Sequence, residues 1–340
     1  MNAACGPDLS IVIVNWNSRA YLNDCILSIE SQRTDVEYEV IVVDSGSMDG
    51  CEEMLIEAHP KVRFVQLKQN VGFARANNVG ATLAAGRVLL FLNPDTLVKG
   101  SALDVLYRTI WQLPDVGVLG CRLLNTDGSL QTSGVMPMPT ILNQVLDAAI
   151  LQRVFRKSKI WQSALTVEGA KSVIPVEGIS GACMMIKREQ FDRIGGFSDD
   201  YFMYAEDLDL CSKAMASGLR NYYVSNASIV HHGGGSTKHA RDSFANIMMR
   251  ESTYRLLRKS RSTRYAQYYR LAMHGAALAR LLLIVSVFPL YIANGRIRDW
   301  RLTRDKWVGI LRWTIGLEGW VKRGGTSVSQ AADVSGASAS

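Results

Sequence analysis

The stretch Val88-Leu89-Leu90-Phe91-Leu92-Asn93-Pro94-Asp95 joins five apolar residues to a polar turn, and it says most about the architecture of this chain. Such an apolar run predicts a strand buried on both faces of a sheet. An aspartate just beyond the strand lies at the edge where open α/β sheets bind ligands, and its oxygens suit Mg²⁺ or Mn²⁺. Asn-Pro-Asp is also common in turns, so the triplet by itself favours a plain turn. The interpretation therefore depends on the surrounding sequence.

Strands and helices alternate around this stretch. The apolar runs predict strands at Leu9–Val14, Glu39–Asp44, Val62–Leu67 and Arg87–Leu92, and helical spacing predicts helices at Tyr21–Gln32, Cys51–Ala58 and Gly72–Ala85. This alternation predicts an α/β fold with a mainly parallel sheet covered on both faces. Right-handed crossovers bring the carboxyl ends of the strands to one rim. Three polar groups share that rim: Asn15-Trp16-Asn17, Asp44 and Asn93-Pro94-Asp95.

The same kind of pattern continues to residue 240. It predicts helices at Ser101–Gln112, Arg188–Ile194 and Ala205–Ser217, and strands at Val116–Leu124, Pro175–Lys187, Asn221–Val224 and Ser228–His231. We therefore expect one domain over residues 1–240.

Charge is distributed unevenly along the 340 residues. Residues 1–240 hold 21 Lys and Arg against 25 Asp and Glu (net −4), whereas residues 241–340 hold 17 against 6 (net +11). A basic segment predicts contact with something anionic. Because this segment is also strongly apolar, a membrane surface with anionic lipid is favoured over nucleic acid. The six cysteines are scattered without a C-x-x-C pair, which is typical of reduced thiols in the cytoplasm.

Residues 241–323 have the composition of a helical extension. Their apolar run Leu281–Ala293, at 13 residues, is shorter than the roughly 20 that span a bilayer. Tryptophans alternate with Arg and Lys after it, at Trp300, Trp307, Trp313 and Trp320. One interpretation is a helical segment that lies in the membrane interface. The alternative is a pair of helices that pack in the core and have solvated basic faces. Residues 324–340 are small and polar and predict a disordered tail.

Two loops have the chemistry to meet a nucleotide. Asp44 ends a strand inside VVDSGSMDG, and its carboxylate can accept a hydrogen bond from the N3–H of uracil or thymine. The alternative role of capping the next helix suits Asp49 better. Asn70, Gly72 and Arg75 lie where another helix begins, and the amides there can meet phosphate or ribose. An ordinary Asn-capped helix with a solvated Arg is the alternative.

Acid–base and metal-binding candidates lie further along the chain. Glu206 and Asp207 open a helix, and a carboxylate within reach of an acceptor hydroxyl is what general-base catalysis requires. Acidic residues that only favour the helix dipole are the alternative. His231 follows a strand, and a neutral imidazole beside a carboxylate can complete a metal shell. The pair His231-His232 before glycines also suits a surface turn.

In this order, these stretches resemble the inverting family-2 glycosyltransferases of the GT-A fold, especially their bacterial rhamnosyltransferase-like branch. The matching segments lie within residues 9–238: SIVIVNWN, VIVVDSGSMDG, NVGFARANNVG, LLFLNPDT, GGFSDDYFMYAEDLDLCSKA and IVHHGGGST. An ordered set of motifs is far more specific than any single one.

The resemblance implies roles for these positions. It implies that Asn15, Asn17 and Asp44 hold the nucleobase. The other positions that we place along the nucleotide sugar are Asn70, Gly72, Arg75, Asn93, Asp95 and Glu206.

The resemblance also implies a metal site and a catalytic base. Asn93-Pro94-Asp95 matches the D-x-D motif of the family with Asn in place of the first Asp, which leaves Asp95 as the main ligand of Mg²⁺ or Mn²⁺. His231 is the implied second ligand, and Asp207 is the implied base.

The implied reaction transfers a sugar from a nucleoside diphosphate, with dTDP-L-rhamnose as first choice, to a hydroxyl of a glycan or polyprenyl-linked acceptor. This would serve cell-surface polysaccharide biosynthesis, with the protein peripheral on the cytoplasmic face of the plasma membrane. A non-catalytic nucleotide-sugar-binding scaffold of an assembly complex stays open. So does a sugar nucleotidyltransferase, although such enzymes have a Gly- and Arg-rich loop where this chain has NWNSRAY.

Overall fold

A computed structural model describes residues 6–146, 173–233 and 242–323. They fall into two compact units. The first, called the α/β unit, comprises described residues 6–138, 173–202 and 206–233. The second, called the helical unit, comprises described residues 139–146, 203–205 and 242–323. The expected disordered tail at 324–340 lies outside the described residues.

The α/β unit is built on one large sheet. Its strands are β1 (Leu9–Asn15), β2 (Tyr38–Asp44), β3 (Arg63–Gln66), β4 (Val88–Leu92), β5 (Thr96–Lys99), β6 (Val116–Leu124), β8 (Val173–Val176), β10 (Cys183–Lys187) and β11 (Arg220–His231), and a separate ribbon pairs β7 (Val135–Met136) with β9 (Gly178–Ile179). Its helices are α1 (Arg19–Glu30), α2 (Cys51–Ala58), α3 (Phe73–Leu83), α4 (Ala102–Gln112), α6 (Arg188–Arg193) and α7 (Glu206–Ala216).

Among the described residues the strand order is β3-β2-β1-β4-β10-β6-β11-β5, with β8 beside β11. The strands β3, β2, β1 and β4 are parallel, and β6 is parallel to β11. The strands β10, β5 and β8 run antiparallel to their neighbours. Every side chain of β4 is at most 1% exposed, which explains its wholly apolar sequence. The α/β fold expected from the sequence is confirmed.

Three details of the sequence prediction are wrong. The strand β5 was not predicted, because four residues give too short a period to recognise. The stretch Pro175–Lys187, predicted as one strand, is divided among β8, β9 and β10, and Gly178 and Gly181 lie at or near the breaks. The two strands predicted between residues 221 and 231 are one strand, β11, whose register against β6 shifts at a bulge between Val224 and Ser228.

The helix α3 lies close to the sheet because residue 80 is glycine. A Cβ atom at Gly80 would lie 2.3 Å from Cγ1 of Val12 and 3.3 Å from Cγ2 of Val43. Any side chain there would push the helix away from β1 and β2. The position of the loop that leads into α3 therefore depends on this glycine.

The helical unit consists of α5 (Ile141–Val145), α8 (Asp242–Ser260), α9 (Thr263–Ser286), α10 (Phe288–Ala293) and α11 (Ile297–Thr314). Trp307 and Trp313 are 7% and 2% exposed and lie in its core. Trp313 donates from Nε1 to Glu251 Oε2 at 2.9 Å, and the half-buried Trp300 donates to the carbonyl of Ile284 at 2.9 Å. Trp307 and Trp313 are thus core residues, as in the alternative interpretation, and not interfacial anchors.

Among the described residues, α9 has the length and the mean hydropathy, 1.2, of a helix that crosses a membrane. A helix in the core of a soluble protein can have the same length and hydropathy.

A matched pair of glycine substitutions tests the packing of α3. We expect Gly80→Ala to lower the melting temperature, because overpacking costs about 1–3 kcal/mol, more than the ~1 kcal/mol that alanine gains in a helix. Gly275→Ala in α9 is the control, since a Cβ there meets no atom of the described residues within 4 Å, and it should keep or raise stability. Thermal melts followed by circular dichroism compare them. Equal stability of the two variants would contradict the close packing of α3.

Candidate active site

The carboxyl ends of β1, β2 and β4 form the rim that carries the polar residues. Asn15 and Asp44 are paired in the register of β1 and β2, and β1 pairs with β4 as far as Ile13 and Leu92. Asn15 Nδ2 donates to Asp44 Oδ2 at 2.7 Å. The rim predicted from the strand ends is therefore present.

Asp44 is fully buried and accepts four hydrogen bonds. Asn15 Nδ2 and the Cys51 thiol donate to Oδ2. The Ser47 N–H and Gln66 Nε2 donate to Oδ1, each at 2.7 Å. Burial raises the pKa of this carboxyl, but the donors, led by Ser47 and Asn15, outweigh burial and hold the pKa below its usual range. Asp44 thus fixes the loop after β2 as a charged group. The contact of Asp44 with a nucleobase stays a prediction. Because the carboxylate already accepts four hydrogen bonds, one of its present donors would have to move to make room for the base.

Asn15 and Asn17 present polar atoms beside this carboxylate. Asn15 Oδ1 is buried and has no hydrogen-bond partner among the described residues. An unpaired buried acceptor costs stability, so a ligand that donates to it would remove that cost. Asn17 is exposed, has a left-handed φ of 48°, and donates from its N–H to Ser47 Oγ at 2.8 Å. Both residues suit the nucleotide-binding role that stays predicted for them.

Asn70, Gly72 and Arg75 have structural partners. Asn70 Oδ1 accepts from the Gly72 N–H at 2.9 Å. A Cβ on Gly72, where φ is +85°, would lie 2.2 Å from the Phe202 carbonyl oxygen. Arg75 is exposed and donates from Nε to the Asp199 carbonyl at 2.9 Å. These residues hold the loop that ends at Phe202 against the start of α3, and their contact with a nucleotide sugar stays a prediction.

Strands β5 and β11 bring Asp95 beside His231. Thr96, the first residue of β5, pairs with His231, the last residue of β11. Asp95 Oδ1 lies 3.3 Å from His231 Nε2, and both side chains are mostly buried. The structure therefore joins the two predicted metal ligands, although strand β5 was not expected.

Gln131 determines how His231 faces Asp95. His231 Nδ1 lies 2.8 Å from Gln131 Oε1. Since that oxygen only accepts, Nδ1 carries a hydrogen, and in a neutral imidazole the Nε2 lone pair faces the Asp95 carboxylate. Two Lewis bases so close together favour a cation beside them, and carboxylate with imidazole suits a divalent metal such as Mn²⁺. No motif around Gln131 indicated this role.

A second group of possible metal ligands is present among the described residues. The ligand atoms of Asp44, Asp49 and Cys51 lie within 4.8 Å of one another. Burial, followed by the hydrogen bond to Asp44, raises the pKa of the Cys51 thiol far above its usual range. The thiol therefore stays protonated and donates to Asp44 at 3.2 Å. A hard cation here would displace that bond, so Asp95 and His231 are the better pair.

Asp207 is held by two backbone amides. Its Oδ2 accepts from the Gly181 N–H at 3.0 Å, and its Oδ1 accepts from the Leu208 N–H at 2.8 Å. Ala182 follows Gly181 in the chain, and its carbonyl accepts from the Asn93 N–H at 3.1 Å. The Asp207 carboxylate therefore lies close to the end of β4. Burial raises the pKa of Asp207, although the amides of Gly181 and Leu208 partly oppose it. A raised pKa and a fixed orientation are properties of a general base.

Glu206 differs sharply from its neighbour. It is 7% exposed, and its Oε2 has no hydrogen-bond partner among the described residues. Burial, followed by the charge of Asp207, raises the pKa of Glu206 from 4.5 to about 8. Glu206 is therefore mostly protonated at neutral pH, and its contact with the nucleotide sugar stays a prediction.

The backbone at the start of α7 is strained. Tyr204 and Ala205 have positive φ values of 69° and 63°, which non-glycine residues rarely adopt. Strain of this kind concentrates at functional sites.

Asp209, the next acidic residue of α7, has a structural role. It accepts from Ser198 Oγ at 2.6 Å and from Tyr201 OH at 3.1 Å. It fixes the loop before the helix and is not available as a base.

A parallel rim of this kind, with an Asp–His pair and an amide-held carboxylate beside it, is typical of the nucleotide-sugar glycosyltransferases of the GT-A fold. The family model described as glycosyl transferase family 2 matches residues 10–195. A second model, described as the N-terminal domain of galactosyltransferase, matches residues 162–234. The first match covers more than half of the chain, and the chain belongs to glycosyl transferase family 2.

The relatives agree with this assignment. The chain is 28% identical over 292 residues to an N-acetylglucosaminyl-diphospho-decaprenol L-rhamnosyltransferase of Mycobacterium tuberculosis, which covers 82% of this chain and 92% of the relative. It is 25% identical to the rhamnosyltransferase WbbL of Escherichia coli, over 74% of this chain and 93% of that protein. The resemblance to rhamnosyltransferase-like members of the family is confirmed.

A solved structure supports the fold. The mannosyltransferase PcManGT from Pyrobaculum calidifontis, in complex with GDP-Man and Mn²⁺, is similar with a TM-score of 0.55, over 93% of this chain and 89% of that chain. At 17% identity this likeness shows a common GT-A fold.

The burial of Glu206 predicts a pH-dependent stability. Because its pKa is higher in the folded state, wild-type stability falls as pH rises from about 4.5 to about 8. Glu206→Gln removes this dependence, so we expect the melting temperature of the variant to exceed that of the wild type at about pH 9 and to match it at about pH 5. Asp192→Asn, an exposed carboxylate, is the control. A Glu206→Gln variant that is less stable than the wild type at the higher pH would show that Glu206 is ionised and paired.

Proposed function

We propose that the protein is an inverting glycosyltransferase that moves L-rhamnose from dTDP-L-rhamnose to a hydroxyl of a glycan or polyprenyl-linked acceptor in bacterial cell-surface polysaccharide biosynthesis. The mycobacterial relative, named for L-rhamnosyl transfer with a diphospho-decaprenol substrate, supports this choice because the match covers 92% of its length. The single observation that carries the proposal is the half-buried carboxylate of Asp207, which two backbone amides hold beside the end of β4.

Asp207 acts as the general base. It takes the proton of the acceptor hydroxyl while the hydroxyl oxygen attacks the anomeric carbon from the face opposite the diphosphate. The bond between that carbon and the diphosphate oxygen breaks in the same displacement, and its electron pair leaves with the phosphate. The configuration inverts without a covalent sugar–enzyme intermediate. Burial keeps this carboxylate more basic than usual, and the amides of Gly181 and Leu208 keep it oriented.

Asp95 and His231 would hold Mg²⁺ or Mn²⁺, and Gln131 would orient the imidazole through its Nδ1 hydrogen. When bound, the ion supplies positive charge that stabilises the departing diphosphate. Because Asn93 replaces the first aspartate of the D-x-D motif, Asp95 supplies the carboxylate of this turn. Asn15, Asn17 and Asp44 would bind the nucleobase. Asn15 Oδ1, which has no partner among the described residues, would accept from a donor on the ligand.

A polyprenyl-linked acceptor resides in a membrane, so the protein would work as a peripheral protein on its cytoplasmic face. The rival function is a non-catalytic scaffold that binds the nucleotide sugar. The orientation of Asp207 disfavours it, because binding alone does not need a carboxylate held by two amides with a raised pKa.

Substitution of the base tests the reaction. We expect Asp207→Asn to lower kcat by about 10²–10⁴-fold, because the amide cannot accept the hydroxyl proton. The assay follows release of dTDP from dTDP-L-rhamnose with membrane lipid extract as acceptor. Titration calorimetry should show unchanged donor affinity, and Asp192→Asn should keep full activity. Undiminished turnover by Asp207→Asn would remove Asp207 as the base, whereas a wild type that binds the donor without transfer would support the scaffold.

Direct metal binding tests the Asp95–His231 site. We expect Asp95→Asn to abolish Mn²⁺ binding measured by calorimetry in the presence of dTDP. Gln131→Leu should weaken it about 10–100-fold, because the imidazole loses its orienting partner. Asp49→Asn is the matched control for the second group of ligands. If Asp49→Asn abolished binding and Asp95→Asn did not, the metal would belong to the group of Asp44, Asp49 and Cys51.

A further inference from the structure

The outward face of α9 carries an apolar stripe. Its members on this helix lie three, four or seven residues apart and are 44–74% exposed: Tyr268, Leu271, Leu278, Leu282 and Val285. Residues at this spacing share one face of a helix. The opposite face is buried, at Ala266, Tyr269, Met273, Ala277 and Ile284. The stripe continues onto α10 with Leu290 and Ile292, which are 63% and 51% exposed.

No exposed charge interrupts the stripe. Between residues 265 and 295 the Lys, Arg, Asp and Glu residues are Arg270 and Arg280 only, and both are half-buried. Arg270 donates to the carbonyls of Trp313 and Thr314 at 2.7 and 2.8 Å. Arg280 lies 4.3 Å from the centre of the Trp307 ring and donates to a backbone carbonyl of α5. Both guanidinium groups therefore contact the interior of the helical unit and place no charge on the outward face of α9.

Basic clusters flank the stripe at both ends. The first cluster is exposed and consists of Arg258, Lys259, Arg261 and Arg264. The second is exposed and consists of Arg296, Arg298 and Arg301. Of these three, Arg296 is paired with Asp299 at 2.8 Å. An apolar strip between two cationic clusters is complementary to a bilayer, where acyl chains lie beneath anionic headgroups.

We propose that the apolar stripe and its two basic clusters dock the helical unit on an anionic lipid bilayer. Helix α9 lies along the surface, with the stripe among the acyl chains and both clusters at headgroup phosphates. This surface would hold the protein at the membrane that contains the proposed acceptor, so the proposal rests on the proposed function.

Helix α9 does not cross the bilayer in this arrangement. A spanning helix would place Arg270 and Arg280 in hydrocarbon, together with α11, which packs along α9 and carries Arg301 and Arg304. Charged residues at membrane depth are costly, whereas the same residues are accommodated when the helix lies at the interface.

A second copy of this chain is the rival occupant, because spacings of three and four also suit paired helices. The charges disfavour it. In a parallel pair each basic cluster meets its own copy, and in an antiparallel pair the two clusters meet each other. Either orientation brings like charges together, which opposes association. Anionic lipid removes this repulsion.

Vesicle flotation with the full-length protein tests the surface. The probes are vesicles of phosphatidylcholine with and without phosphatidylglycerol. We expect binding only with phosphatidylglycerol. Arg261→Ala with Arg264→Ala should weaken it about 25-fold, at about fivefold for each cation. Leu278→Ala with Leu282→Ala removes six carbon atoms. It should weaken binding at least tenfold even if only two of them lie among the acyl chains, since each buried methylene contributes about fourfold.

The matched controls lie in the α/β unit. They are Arg33→Ala with Arg193→Ala, both exposed, and Leu27→Ala with Ile56→Ala, which are 50% and 67% exposed. All should bind vesicles as the wild type does. Wild-type binding by the stripe variants would overturn the docking surface. The docking surface would also be overturned if the wild type bound no vesicles and sedimented as a dimer that the stripe variants convert to a monomer. Release of dTDP from dTDP-L-rhamnose, measured separately, reports on the proposed function whatever the vesicle result.

Discussion

The pairing of Thr96 with His231 is the contact on which the candidate metal site depends. The Asn-Pro-Asp turn follows β4 and leads directly into β5. Because β5 pairs antiparallel with the end of β11, His231 lies beside Asp95. The buried Thr96 hydroxyl donates to the Asn93 carbonyl at 2.8 Å and fixes the turn. A strand of four residues thus sets the 3.3 Å separation between the carboxylate and the imidazole. The turn that by itself favours a structural interpretation is also what gives the site its geometry.

Three carboxylates near this rim differ because their hydrogen-bond donors differ. Asp44 has four donors, and its pKa is lowered despite complete burial. Asp207 has two backbone amides, and burial still raises its pKa. Glu206 has one oxygen without a partner among the described residues, and its pKa is raised most of the three. Environments that separate the pKa values of similar groups allow a fixed charge, a base and a neutral acid to exist at one pH.

The sequence predicts the elements whose signal is local. The strands β1, β2 and β4 each contain a long apolar run, and right-handed crossovers then require the polar residues at their carboxyl ends to share one rim. Glu206 and Asp207 are recognisable for the same reason, since acidic residues open a helix. Gln131 and the Gly181 amide could not be found, because they act only through contacts with His231 and Asp207, which are distant in the chain. Nor does the sequence show that Asp44 is enclosed by four donors.

In the helical unit the exposed aliphatic residues, and not the buried tryptophans, form the proposed membrane surface. An indole has one polar atom, and when that atom finds a partner the ring fits a core, as Trp313 does through Glu251. A leucine has no polar atom, so an exposed leucine such as Leu282 has no such reason to stay in water. Each exposed Å² of the stripe costs about 25 cal/mol in water. The stripe is short, and a basic cluster at each end adds an attraction that salt weakens. Apolar and electrostatic contributions of this size would add to a reversible attachment, which suits the proposed transfer to an acceptor that diffuses in a bilayer.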